Sequence, residues 1–225
     1  MGKITYKLKN KDVGSTGIGA MIVFIATVLV AGIAASVLIQ TSMKLETQAM
    51  ATGQQTIGEV ATGVAVTEIE GFNYGSLGSI YWLAIGVRAR AGSQDIDLSQ
   101  TVIEISDSIK KNFLTYNSGN FTLKGGIDGN IFTGSLLGGA NGFYPNSSTQ
   151  FGIIVLEDAD SSCTSTTPVI NKGDHVMLTV NISQCFGGFS TRRDIFGMVI
   201  PEQGSPGIIS FTTPAAFSDK VLELQ

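Results

Sequence analysis

The chain has 225 residues, 43% of them hydrophobic and only 14% charged, with a net charge of −4. That length holds one domain of ordinary size plus an appendage, and the excess of acids gives a nucleic-acid role little support. The single histidine, His175, and the two cysteines are too few for a zinc site.

The first element is a basic start. Residues 1–14 hold Lys3, Lys7, Lys9 and Lys11 against Asp12, a balance of +3, and then Ser15 to Met43 runs for 29 residues without a charge. Within that run IGAMIVFIATVLVAGIAASVLI is apolar on every side of a helix, the pattern of a segment buried in lipid or in a large protein core. Roughly 20 apolar residues span a bilayer, and the lysines ahead of them hold that end on the cytoplasmic side. The helical pattern continues through SMKLETQAMATGQQTIGEV, so one helix is expected from about Gly17 to about Gly58, on the order of 60 Å at ~1.5 Å per residue. Small residues recur four apart, Ala31 with Ala35 and Gly32 with Ser36, a spacing that lets apolar helices approach closely. A plain membrane anchor fits this start. So does a secretory signal cut near Gly32 to Ser36, although its apolar stretch would be short, 7–15 residues.

The stretch KNKDVGSTGIGAMIVFIATVLVAGIAASVLIQTS resembles the N-terminus of archaeal flagellins (archaellins), within the type IV pilin-like class. That resemblance implies a basic leader, residues 1–14, removed by a leader peptidase between Gly14 and Ser15. Its loss from a chain of −4 leaves −7. Gly17 is then third in the mature chain. Gly19 stands fifth, where bacterial type IV pilins carry Glu, which favours archaellin over bacterial pilin.

From about Val60 the period changes from helical to alternating. Tyr81, Leu83, Ile85, Val87 and Ala89 alternate with Trp82, Ala84, Gly86, Arg88 and Arg90, the pattern of a half-buried strand. Val176, Leu178, Val180 and Ile182 alternate with His175, Met177, Thr179, Asn181 and Ser183 in the same way. Further strands are expected near Val102–Ile105, Phe151–Leu156, Ile195–Ile200 and Ile208–Thr212. Turn clusters such as GGANGFYPNSS separate them, so a β-sandwich or barrel-like domain is expected. The ending PEQGSPGIISFTTPAAFSDKVLELQ resembles the archaellin C-terminus.

No catalytic set stands out. His175 lies on the polar face of its strand and reads as a surface histidine, and no serine sits in a G-x-S-x-G elbow. Glu157, Asp158, Asp160 and Ser162 form an acidic loop that lacks the Gly and closing Glu of an EF-hand, so a solvated loop is expected rather than a metal site. Nothing calls for a cofactor. Three triplets read N-x-[ST], at Asn120, Asn146 and Asn181, and become glycosylation candidates if the domain is extracellular; Asn181 falls on the polar face of its strand, which would let a glycan point outward. In an oxidising exterior Cys163 and Cys185 are expected to pair.

The resemblance implies an α+β protein: one long N-terminal hydrophobic α-helix, residues 15–59, followed by an immunoglobulin-like antiparallel β-sandwich, residues 60–225. It implies a homo-oligomeric helical filament, the archaeal flagellum (archaellum), turned for swimming by a motor on a membrane platform. The precursor waits in the cytoplasmic membrane and the β-domain faces outside the cell. Ile18, Met21, Phe24, Ile25, Leu29, Gly32, Ile33, Val37 and Leu38 are the candidates for the packed filament core. The alternatives are a non-rotating adhesion pilus subunit and a membrane-anchored extracellular binding protein.

Overall fold

The computed structural model describes residues 11–73, 78–127, 129–132 and 142–225. Residues 1–10 of the expected leader lie outside them. Two compact units appear, one up to Gln54 and one from Gln55 to Gln225.

Helix α1 is 51 residues long, Lys11–Ala61. It contains no proline, and Thr27 and Thr47 turn their hydroxyls back onto the carbonyls of Phe24 and Met43 at 2.8 and 2.9 Å, so neither competes for the backbone amides. At its end Thr62 N–H donates to the Gly58 carbonyl (2.8 Å), and Thr62 Oγ1 accepts from the Gln94 N–H. Gly63 then lets the chain pass the Ser205 carbonyl, against which a Cβ would clash.

In chain order the strands are β1 (Val64–Phe72), β2 (Ser79–Ile80), β3 (Trp82–Ala89), β4 (Ile96–Asp97), β5 (Val102–Ser106), β6 (Lys111–Leu123), β7 (Gln150–Glu157), β8 (Val169–Ile170) and β9 (His175–Asn181). A short helix α2 (Ile182–Phe186) leads to β10 (Phe189–Ser190), β11 (Asp194–Ile200), β12 (Gly207–Thr212) and β13 (Val221–Glu223). Nine strands form one sheet in the order β12-β11-β5-β6-β7-β9-β3-β1-β13. All neighbours are antiparallel except β6 and β7. The expected α+β architecture is therefore observed, as a long helix followed by a mostly antiparallel β-domain.

The sandwich arises by rolling this one sheet. Val64 N–H donates to the Ser205 carbonyl (3.1 Å), just before β12, and Ser210 N–H of β12 donates to Gln225 Oε1 (3.0 Å), just after β13. Opposite ends of the sheet thus meet. The enclosed core holds Leu83, Ile85 and Val87 of β3, Val176, Leu178 and Val180 of β9, Ile153 and Val155 of β7, and Ile103, Ile105, Ile195 and Val199.

The expectation that β3 and β9 are half-buried is corrected. Both are buried on both faces over most of their length. Their second face carries Trp82, Ala84 and Met177, and Ile154 of β7 joins them under a cover of Phe132 and Tyr144. Trp82 meets Tyr144 edge-on, with ring centroids 5.2 Å apart. The cover is pinned by side chains of β9: Thr179 Oγ1 donates to the Phe143 carbonyl and Asn181 Nδ2 to the Pro145 carbonyl (3.1 Å). Among the described residues, Trp82 Nε1 and Tyr144 Oη are buried without a partner, at a cost of about 1–3 kcal/mol each, so this second core is the weaker one.

The alternation expected to run through Ile182 and Ser183 stops at Asn181. Its Oδ1 accepts from Gln184 N–H (3.2 Å) and so caps α2. Gly187 closes the helix in a left-handed conformation, φ 79°.

Candidate functional site: the apolar helix and the outer surface

The helix carries the largest chemical anomaly of the chain. Ile18, Met21, Phe24, Leu29, Ile33 and Leu38 are each 61–67% exposed, and Ile25 and Val37 are 55% and 54% exposed. At Gly32 an added Cβ would meet nothing within 4 Å. These side chains take every direction around the axis, so no single face could satisfy them. By length and composition the helix could cross a membrane, and its apolar window has no buried residue within the chain. Gly14 and Ser15 lie inside α1, exposed.

The three sequons occupy different surroundings. Asn181 is 1% exposed and bonded as described, which corrects the expectation that it points outward. The strand's second face was read as solvent, and it is instead the covered one. Asn120 is half-buried, its Nδ2 donating to the Gly142 carbonyl and its Oδ1 accepting from Asn117 (2.7 Å). Asn146 is exposed, and only its Oδ1 is engaged, by Gln184 Nε2 at 3.1 Å.

The expected Cys163–Cys185 bridge is absent. Both are free, buried thiols. Burial pushes Cys163 up to about 12, with Asp158 and Asp174 adding to it, and pushes Cys185 up to about 11, so neither is a ready nucleophile. The Cys185 carbonyl accepts from Asn112 Nδ2, whereas the loop after Cys163 is held where Tyr116 Oη donates to the Ser165 carbonyl. Asn112 and Tyr116 stand four residues apart on β6, so the two cysteine segments are tied to different parts of that strand.

His175 is also less exposed than expected, with a side chain 14% exposed and 3.6 Å from Glu68. Burial and Arg88 hold it below the usual histidine range against Glu68 and Glu157. The Thr67 hydroxyl lies 3.3 Å from the same Nε2 that faces Glu68.

The acidic loop is more ordered than a solvated turn. Oxygens of Asp158, Asp160 and the buried Asp174 lie within 4.8 Å of one another. Backbone amides balance them: Ser162 and Cys163 donate to Asp158, and Ala159 and Asn171 to Asp174. Hydrogen bonds from Ser162 and Asn171 hold Asp160 below the usual carboxylate range. Three carboxylate oxygens are the ligand type of a hard cation. Asp174 escaped the sequence reading because it joins the loop from just before β9.

Comparison with known proteins settles the family. The archaeal-type flagellin family model matches residues 14–211. The chain belongs to that family. It is 46% identical to flagellin B2 of Methanocaldococcus jannaschii, over 99% of this chain and 100% of the relative. It is 39% identical to flagellin B1 of Thermoplasma volcanium, over 98% of this chain and 96% of the relative. The crystal structure of archaeal flagellin FlaB1 from Methanocaldococcus jannaschii is similar with a TM-score of 0.62 and 32% identity, covering 73% of this chain and 98% of that one. A structure of the archaeal flagellum of Methanospirillum hungatei shares the fold, with a TM-score of 0.59 at 16% identity and coverage of 92% and 98%. The archaellin resemblance seen at the two ends thus extends through the middle of the chain.

Proposed function

We propose that this chain is the structural subunit of an archaeal flagellar filament, polymerising through α1 with its β-domain on the outside and carrying no catalytic step. The observation that carries the reading is an exposed apolar helix with no preferred side in a flagellin-family chain. Each buried CH₂ is worth about 0.8 kcal/mol, so such a helix outside lipid needs equivalent helices around it. A second copy of the same helix supplies them. The membrane holds only the precursor, and the leader peptidase, motor and platform are its other partners. Electron microscopy of sheared cell-surface material tests this: regular filaments containing the chain are expected, and a chain found only in membranes would make it a tethered protein. Rotation of tethered cells is expected as well, and static filaments would make it an adhesion pilus subunit.

Processing follows from the same reading. N-terminal sequencing of exported protein should begin at Ser15. A start at Ser36 would mark an ordinary signal peptide, and a start at Met1 a plain anchor.

Of the three sequons, Asn146 is the one whose side chain is presented to an external enzyme. Glycopeptide mass spectrometry of native filaments should find a glycan at Asn146 and none at Asn181, whose Nδ2 is buried and bonded. A modified Asn181 with a bare Asn146 would contradict the outer surface described above.

A further inference from the structure

From Ser15 to Ala61 the helix carries three charged side chains, Lys44, Glu46 and Glu59, of which Lys44 is the one cation. A helical lysine meets the residues three and four positions away. Around Lys44 these are Gln40, Thr41, Thr47 and Gln48, none acidic. Thr41 and Thr47 spend their hydroxyls on the carbonyls of Val37 and Met43. Glu46 stands two positions on, about 200° around the axis at 3.6 residues per turn, so it leaves the opposite side of the helix. Glu59 accepts from Gln55 at 3.2 Å. Among the described residues Lys44 takes part in no ion pair. Its neighbours three and four positions away are polar but uncharged, and the apolar side chains beside this stretch, Met43, Leu45 and Met50, are 62–65% exposed like the rest of the helix.

An isolated ammonium costs nothing in water and a great deal among packed helices. The pattern also specifies the kind of contact that relieves it. An isologous contact sets a face against its own copy and would bring Lys44 to Lys44. A heterologous contact sets one side of a helix against the other side of the next copy, and such contacts propagate into open filaments. Opposite charges on opposite sides suit only the second.

We propose that Lys44 is paired in the filament with a helix carboxylate of an adjacent copy of this chain, and that this pair fixes the stagger between copies. The carboxylate is Glu46 if neighbours sit nearly level and Glu59 if they are displaced along the axis. The proposal rests on the filament reading above.

Charge reversal in the full-length chain tests it, with filaments counted on cells that express only the variant. Lys44→Glu should lower the filament count roughly tenfold or more, since breaking a desolvated pair costs more than the ~1.4 kcal/mol that a tenfold change represents. Adding Glu46→Lys or Glu59→Lys should restore it, and the one that does identifies the partner. Membrane-fraction levels of the variant, expected to equal wild type, separate failed assembly from failed insertion. A normal filament count for Lys44→Glu would overturn the pairing, as would a loss that neither second change repairs. Val30→Asp run alongside isolates the filament reading: if it too assembles, the packed core itself is wrong, whereas its failure beside a normal Lys44→Glu sinks the pairing alone.

Discussion

Val30→Asp should abolish filaments while leaving the β-domain folded. Val30 is 67% exposed in the single chain and sits in the middle of the uncharged run. Its neighbours on the helix surface are Ala26, Thr27, Ile33 and Ala34, so a carboxylate there finds no cation on its own helix. In a packed core it is desolvated without a partner at a cost of several kcal/mol per subunit, repeated at every subunit of the polymer. Val30→Leu keeps the apolar character and should assemble. The measurement is electron microscopy of the sheared fraction, with limited proteolysis to show an intact β-domain. Filaments of normal abundance from Val30→Asp would mean that α1 is not the core, and a chain beginning near residue 60 would then be expected to polymerise alone.

The helix and most of the central strands were legible because each has a strong period. The uncharged run from Ser15 to Met43 marks α1 without reference to anything else in the chain. Val102, Phe151, Ile195 and Ile208 all fall in or beside strands where their alternation placed them. What escaped detection was whatever tertiary contact creates. The long strand β6 hides because NSGN, residues 117–120, looks like a turn, and it is in fact the irregularity where the pairing with β7 shifts register between Tyr116 and Phe121. Strand β1 hides because a bulge between Val66 and Glu68 resets its alternation. The cover over Trp82 and Met177 is invisible for a different reason. Its anchors are Thr179 and Asn181, polar residues on what reads as a solvent face, and polarity alone does not distinguish a bond to water from a bond to a buried carbonyl. The same ambiguity misplaced Asn181 as a glycan acceptor. The family resemblance implied α1 as the assembly element but said nothing of which sequon is presented or that both thiols are buried and free.

The cover supplies the second large effect. Gly152→Val should destabilise the β-domain by about 3 kcal/mol, at the upper end of overpacking costs. Gly152 lies on β7 opposite Thr179 of β9. A Cβ there would run into the carbonyls of Phe143 and Asn120 and come within 2.6 Å of Thr179 Oγ1. Two of those three atoms are backbone, and the third is the hydroxyl that holds the Phe143 carbonyl in place, so none can turn aside cheaply. A valine must either bend β7 at the centre of the sheet or lift the segment that carries Tyr144. Lifting it exposes Trp82, Met177 and Ile154 and breaks the bond from Thr179, and Trp82 Nε1 and Tyr144 Oη, without a partner among the described residues, add nothing to oppose the movement. At about 2–4 °C per kcal/mol for a unit of this size, the melting temperature should fall by roughly 10 °C. The control is Gly125→Ala, where an added Cβ meets nothing within 4 Å and a change within about 0.5 kcal/mol is expected. Thermal unfolding of the soluble β-domain measures both. Tryptophan fluorescence adds a local readout, because Trp82, the single tryptophan, lies under the cover: its emission should shift to the red in Gly152→Val well below the global transition. A variant with unchanged melting and unchanged emission would show that the cover does not depend on the space Gly152 leaves.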